Sequence, residues 1–296
     1  MSLPNFMVLG AAKSATTTLY NILKKHDNVF APSFKEPHFF NIDKNFNKGL
    51  DWYEKTYYND VENCKAVFDF TPTYLYSSSC AERIYNSLGS EMNFIIILRN
   101  PVDRAYSHYL HSKRDGHENT DFKSAITNEK NRIEIARKNN DVLSELRYSY
   151  LAQGQYYNMI SPYLKYYSLD NFLIINFESE IANNLEVTIE RISNFLDLDL
   201  SNLNLNFHSN KSGKTRFVFL QNLMLKNGLW RRIFKSFIPP VAGQVIRNKI
   251  KNFNKVNHSF DHLSKELKSE LYKKYFMKDT LQFEKLINKS MHWNKS

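Results

Sequence analysis

The sequence is poor in cysteine, in long apolar runs and in acid. Only Cys64 and Cys80 occur in 296 residues, in no metal-type CxxC spacing. Free thiols in a reducing, cytoplasmic compartment are therefore expected rather than a disulfide framework. No stretch of about 18 apolar residues is present, so no spanning helix is expected. Pro4 to Gly10 already reads as a strand, which leaves no visible signal peptide. Neither an internal repeat nor a low-complexity linker interrupts the chain. Acid is outnumbered, 30 Asp and Glu against 40 Lys and Arg, for a net charge of +10. That excess favours an anionic partner: a nucleotide, an acidic glycan, a phospholipid surface or nucleic acid.

Aromatic residues, by contrast, are abundant, with 18 Tyr and 22 Phe. Such rings fill cores or line clefts. The length suits one large α/β domain or two small ones. Phe6 to Leu9 is a short apolar run, followed by Gly10 and small or hydroxyl residues. Leu19, Ile22 and Leu23 come next at helical spacing, which predicts strand, tight turn, helix. Ala66 to Phe70, Phe94 to Leu98 and Phe172 to Phe177 read as further strands. The uninterrupted apolarity of Phe94 to Leu98 is that of a parallel strand covered on both faces. Helices are expected over about 81–88, 101–112, 121–137, 150–167 and 185–196, with a terminal amphipathic helix over about 263–287. Leu263, Leu267, Leu271 and Phe276 are expected on one side of that last helix. Alternating strands and helices imply an α/β fold, a doubly wound parallel sheet flanked by helices with ligands beyond the strands' carboxyl ends. The segment 217–257 mixes apolar and basic residues around Trp230 to Lys235 and reads as helical pieces outside the sheet, facing an acceptor or a membrane surface.

The first turn carries phosphate chemistry. Unpaired N–H groups at a helix start attract anions. Small residues Gly10, Ala11, Ala12, Ser14 and Ala15 admit an oxyanion, Thr16, Thr17 and Thr18 add hydroxyls, and Lys13 adds a charge. An ATP or GTP loop counted from Gly10 needs glycine at position 15 and lysine at 16, where Ala15 and Thr16 stand. The lysine comes three residues too early. A second element lies at Arg99, where a buried strand ends. Asn100 suits a helix cap, Pro101 the first helical position and Asp103 the acid of a capping box. Arg99 offers a forked phosphate donor. Ser107 lies about two turns along, too deep to be a cap, while Arg104 reads as a solvated helix residue.

The run Ala12-Lys13-Ser14-Ala15-Thr16-Thr17-Thr18 resembles the 5′-phosphosulfate loop of sulfotransferases that use 3′-phosphoadenosine 5′-phosphosulfate (PAPS). Ala12 alone departs from the usual form. The string Ile97 to Ser107 resembles that family's 3′-phosphate element, with Arg99 and Ser107 as its ligands. The resemblance extends to the C-terminal Leu263–Trp293 stretch. It implies the P-loop-like sulfotransferase fold as a single domain over residues 1–296. It also implies PAPS as donor, 3′,5′-adenosine diphosphate (PAP) as product, and no metal.

Lys35-Glu36-Pro37-His38-Phe39-Phe40 is similar to the catalytic-base segment of heparan-sulfate-type carbohydrate sulfotransferases. An acceptor hydroxyl needs a positioned base. Glu36 is the expected base and His38 an orienting or substrate-binding partner, though the reverse assignment also satisfies the chemistry. Lys13 would stabilise the bridging oxygen as the donor bond breaks. Where heparan-type enzymes often carry lysine before Thr-Pro, this chain has Phe70, so that lysine's role is lost or moved. The loop Asn210 to Arg216 resembles the late basic loop that folds over the nucleotide, which adds Lys211, Gly213, Lys214 and Arg216 as candidate ligands. A carbohydrate or glycolipid acceptor is expected, with sulfation of a hydroxyl or an amine, peripheral membrane contact through 217–257, and no nucleic-acid partner. Two other readings stay open: a nucleotide kinase, and a PAPS-binding module without catalysis.

Overall fold

The computed structural model describes residues 3–205 and 263–295, together with the backbone of the short antiparallel pair Lys214–Thr215 and Lys255–Val256. Five strands form one sheet: β1 (Phe6–Gly10), β2 (Val29–Phe30), β3 (Ala66–Asp69), β4 (Asn93–Leu98) and β5 (Phe172–Asn176). Their order is β2-β3-β1-β4-β5 and every pairing is parallel. Parallel pairing needs crossovers, and helices supply them: α1 (Thr16–Leu23), α2 (Asp43–Phe46), α3 (Leu50–Tyr57), α4 (Ser78–Leu88) and α5 (Pro101–Arg114) precede β5, as do α6 (Phe122–Thr127), α7 (Glu129–Lys138), α8 (Val142–Tyr148) and α9 (Tyr156–Ile160). After β5 come α10 (Leu185–Leu196), α11 (Lys265–Leu271) and α12 (Met277–Ile287).

The period-two alternation of the strands builds two cores, one on each face. Met7, Leu9, Phe94, Ile96 and Leu98 pack with Val102, Ala105, Tyr156, Phe276 and Phe283. Val8, Phe68, Ile95 and Ile97 pack with Leu19, Ile22, Leu23, Ile189, Ile192 and Leu196. The sheet is covered on both sides, as the apolar runs required. The crossover reverses direction at β1, which has β3 on one side and β4 on the other. The carboxyl ends of β1 and β4 therefore open onto one crevice, where such sheets bind ligands.

Several boundaries differ from the pattern-based expectation. Strand β2 has only two residues, too few for any periodic signal. The helix expected over 121–137 breaks at Asn128 into α6 and α7. The stretch 150–167 is also broken, into a 3-10 turn at Ala152–Gly154, α9, and a second turn at Tyr163–Lys165 after Pro162, whose missing N–H interrupts the ladder. Gly154 permits a close approach here: a Cβ would lie 2.7 Å from the Phe276 ring and 3.1 Å from Pro101. The terminal helix contains a π-turn at Tyr272–Phe276, which rotates the phase of the residues after it. Leu271, Tyr272, Phe276 and Phe283 are buried, whereas Leu267, expected on the apolar side and lying before the π-turn, is exposed.

Candidate active site

The turn from β1 into α1 is fixed by the neighbouring strand and by two unusual backbone positions. The Ala11 N–H donates to Ile97 O at 2.7 Å. Lys13 and Ala15 both adopt left-handed angles, with φ of 73° and 64°, a region that residues with a Cβ seldom occupy. Ala15 precedes α1 and offers no capping side chain; Thr18 N donates to the Ala15 carbonyl at 2.9 Å, and the N–H groups of Thr16 and Thr17 are left to an external acceptor. Ser14 is fully buried and its hydroxyl has no partner among the described residues. A buried polar atom without a partner is costly, and a phosphate oxygen would satisfy it. Thr16 is buried, Thr18 half-buried and Thr17 exposed.

Arg99, at the end of β4, meets this turn directly. Its Nη1 donates to the Lys13 carbonyl at 3.3 Å, and its guanidinium lies 5.0 Å from the centre of the Phe177 ring. The Arg99 Nε is buried without a partner among the described residues. The Arg99 carbonyl accepts from the Tyr156 hydroxyl at 2.7 Å, which holds the strand end. Asn100 caps α5 as expected, accepting from Val102 N at 3.0 Å and Asp103 N at 3.4 Å. The reciprocal half of the capping box is absent. Asn100 N donates instead to Glu178 at 2.8 Å, and Asp103 pairs with Lys268 at 2.9 Å. Glu178 also accepts from the Trp293 indole at 3.0 Å, so the C-terminal segment clamps the strand end that carries Arg99. Ser107 is half-buried on α5.

Arg104 is not a solvated helix residue. It is fully buried, and its guanidinium donates to the Tyr150 carbonyl. His108 lies one turn further on, also buried, and its ring meets Tyr150 edge-on at 5.1 Å. Burial, reinforced by Arg104 and Lys13, pushes the His108 pKa far down and keeps its imidazole neutral. Helix α5 thus turns Arg104 and a neutral His108 inward, which a charge-based reading of an isolated helix cannot anticipate.

The segment 35–41 brings Glu36 and His38 to the same end of the sheet. His38 Nε2 stands 3.6 Å from Glu36 Oε2, and Lys35 Nζ stands 3.1 Å from Glu36 Oε1. Lys35 also donates to Thr16 Oγ1 at 3.4 Å, tying the segment to the start of α1. The other face of His38 is held by Asn41, at 3.3 Å from Nδ1. Asn41 in turn donates to Thr73 Oγ1 at 3.2 Å. Burial pushes the Glu36 carboxyl up, but hydrogen bonding from His38 and the Lys35 charge outweigh it and hold the pKa at about 2. Glu36 is therefore ionised throughout the working range. Burial pulls the Lys13 ammonium down to about 8, helped by Arg114 and Arg99 and opposed by Asp115 and Glu36. Lys13, Arg99 and Glu36 thus share one electrostatic site.

Three residues of this site were not singled out for a role by sequence reasoning. Lys35 supplies an ammonium beside α1. Arg114 lies seven residues after Ser107, two turns along the same face of α5, and that spacing was the signal available. Asp69 has its place in the framework below the segment. Phe70, which replaces the heparan-type lysine, is fully buried, 5.2 Å from Tyr20 and 5.1 Å from Phe68 in ring-centre distance. It carries no charge to the crevice. Lys211, Gly213 and Arg216, with the bulk of 217–257, lie outside the described residues, and of Lys214 only the backbone is described, paired with Val256. Among the described residues no cluster of three His, Cys, Asp or Glu is placed to hold a metal, and no helix is long and apolar enough to cross a membrane.

Residues 3–225 match the family model described as the sulfotransferase domain. The chain is 37% identical over 111 residues to a membrane-associated sulfotransferase of Dictyostelium discoideum, covering 37% of this chain and 23% of that protein. It is 27% identical over 261 residues to heparan sulfate glucosamine 3-O-sulfotransferase 5 of Homo sapiens, covering 87% of this chain and 71% of the human enzyme. The chain thus spans less than a quarter of the first relative's length. A sulfotransferase crystal structure from Alicyclobacillus acidocaldarius superposes with a TM-score of 0.70 over 99% of both chains, at 23% identity, and supports the fold.

Proposed function

The chain belongs to the sulfotransferase domain family, and on that premise we propose that it transfers a sulfuryl group from PAPS to a hydroxyl or amine of a carbohydrate or glycolipid, with Glu36 as general base. The observation that carries the donor assignment is the Arg99–Lys13 contact at 3.3 Å. It joins the turn expected to hold the 5′-phosphosulfate to the strand end expected to hold the 3′-phosphate, and the Ser14 hydroxyl and Arg99 Nε, which have no partner among the described residues, lie at that junction. A nucleotide with phosphates at both ends fits two such anion sites better than a single triphosphate does.

In the proposed reaction the acceptor oxygen or nitrogen forms a bond to sulfur in line with the departing 5′-phosphate oxygen. The S–O bond to that phosphate breaks, and PAP leaves with the electron pair. Lys13 stabilises the charge that gathers on the bridging oxygen, and Ser14, Thr16, Thr17 and Thr18 hold the phosphosulfate. Arg99 and Ser107 hold the 3′-phosphate, with Lys211, Gly213, Lys214 and Arg216 as proposed late-loop ligands. Glu36 takes the acceptor proton, and His38, fixed by Asn41, orients Glu36. A carboxylate with a low pKa suffices if the transition state is loose, as in phosphoryl transfer, because the proton then leaves late.

The acceptor class rests on the Lys35–Phe40 segment and on the name of the human relative. The reading takes the whole chain as one catalytic domain in a reducing compartment, with 217–257 as a peripheral membrane contact. Calorimetric titration with PAP, beside ATP with magnesium, tests the donor assignment. Metal-independent PAP binding that Arg99→Ala removes supports it; ATP binding without PAP binding returns the site to the kinase class. Glu36→Gln should keep PAP binding and lose turnover, and near-normal turnover in that variant would transfer the base role to His38.

A further inference from the structure

Most aromatic residues near the acid–base pair are committed to the core. Tyr53, Tyr58 and Tyr74 are fully buried, and all three belong to the hydroxyl network around Asp69. A second set behaves differently. Phe34 is 58% exposed, two residues before Glu36. Its ring lies 6.3 Å from Tyr57, and Tyr57 meets Trp52 edge-on at 5.7 Å. Lys48, itself exposed, stands over Trp52 at 3.9 Å. Trp52 stacks at 6.4 Å on Phe39, the residue after His38. Both ends of this chain of contacts therefore return to the segment that holds Glu36 and His38.

An exposed Phe beside half-buried Tyr and Trp gains nothing from water. It offers instead a flat apolar surface with polar edges, the complement of a sugar ring with its C–H face and peripheral hydroxyls. Lys48, at one end, places positive charge where an acidic chain would carry carboxylate or sulfate. A small alcohol acceptor would need only the neighbourhood of Glu36 and would leave this strip unused.

Resting on the sulfotransferase reading, we propose that Phe34, Tyr57, Trp52 and Lys48 form a docking strip for an acidic polysaccharide, holding the sugar units next to the one presented to Glu36. Phe34 and Tyr57 stack on a ring, and Lys48 meets an anionic substituent. The strip is a binding element, and none of its four residues takes part in bond making.

The test is titration of the PAP-loaded protein with a heparan sulfate-derived hexasaccharide, comparing the native sequence with Phe34→Ala, Phe34→Trp and Lys48→Gln. Because Phe34 is exposed, its removal should leave the melting temperature and PAP affinity unchanged. Hexasaccharide affinity should fall about tenfold in Phe34→Ala, equivalent to about 1.4 kcal/mol, and return in Phe34→Trp. Lys48→Gln should flatten the salt dependence of binding. Affinity within about twofold of native in Phe34→Ala overturns the strip, and so does a native protein that binds PAP but not the hexasaccharide. A protein that fails to bind PAP yet binds the hexasaccharide through Phe34 overturns the donor reading and supports the strip.

Discussion

The Tyr74 hydroxyl donates to the buried Asp69 carboxylate at 3.0 Å while accepting from the Phe39 N–H at 2.9 Å. Asp69 ends strand β3 and Phe39 follows the Glu36–His38 pair, so one phenol connects the sheet to the segment that carries them. Tyr53 and Thr71 complete the shell around Asp69, each at 2.6 Å. The carboxylate is thus surrounded by hydroxyl donors and has no cation in direct contact among the described residues.

Tyr74→Phe removes that connection and leaves the Phe39 N–H without its buried acceptor. The expected cost is about 1–3 kcal/mol of stability. Turnover should fall while PAP affinity stays near native, because Lys13 and Arg99 are held by other contacts. Denaturant melts and a PAP titration on the same preparation check both halves.

Asp69 also predicts a pH dependence of stability. Burial raises its carboxyl, against the hydrogen bonds from Thr71, Tyr53 and Tyr74, from the ordinary 3.8 to about 6. The folded state therefore binds the proton more tightly than the unfolded state. Its contribution is fully present below about 4 and is lost as pH rises to about 6. Glu129, raised to about 7 by burial, acts in the same direction. The comparison is therefore native protein against Asp69→Asn: the difference in melting temperature between them should change across this window and be flat above it.

Lys13 predicts a pH dependence of nucleotide binding. With its ammonium lowered to about 8, chiefly by burial and Arg114, the free site loses charge as pH rises through that value. PAP affinity should fall between about pH 7 and pH 9, well below an ordinary lysine titration. In Lys13→Arg the fall should disappear from that range whatever the affinity, and calorimetry at several pH values reads it.

The two 3′-phosphate candidates should differ in weight. Arg99→Ala removes a charged donor and should cost about 1.5–3 kcal/mol of PAP binding, whereas Ser107→Ala, a neutral donor, should cost about 0.5–1.5 kcal/mol. Equal losses would mean that Arg99 acts through the Lys13 turn rather than on the phosphate.

Glu178 links Asn100, beside Arg99, to Trp293. Glu178→Leu should lower stability by about 1–3 kcal/mol and weaken PAP binding, although Glu178 itself is not expected to touch the nucleotide. Unchanged PAP affinity would show that the C-terminal segment supports the fold without tuning the site.

The sequence by itself determined the layers and the small-residue make-up of the first turn. Continuous apolar runs at β1, β3, β4 and β5 demand burial on both faces, and small residues before α1 leave helix N–H groups accessible. These are local properties of consecutive residues, so they survive without knowledge of the rest of the chain. Only the tertiary structure decided which groups meet. The Arg99–Lys13 contact joins residues 86 apart in sequence, Tyr74 reaches back to Phe39, and Trp293 closes on the end of β4. Burial made the same kind of decision: Arg104 and His108 point inward because α5 packs against Tyr150, and Phe70 fills the space beside Tyr20. Charge on a helix or aromaticity in a strand is a property of composition. Whether it lies in water, in the core or against a substrate depends on distances between distant segments, and those are set by packing alone.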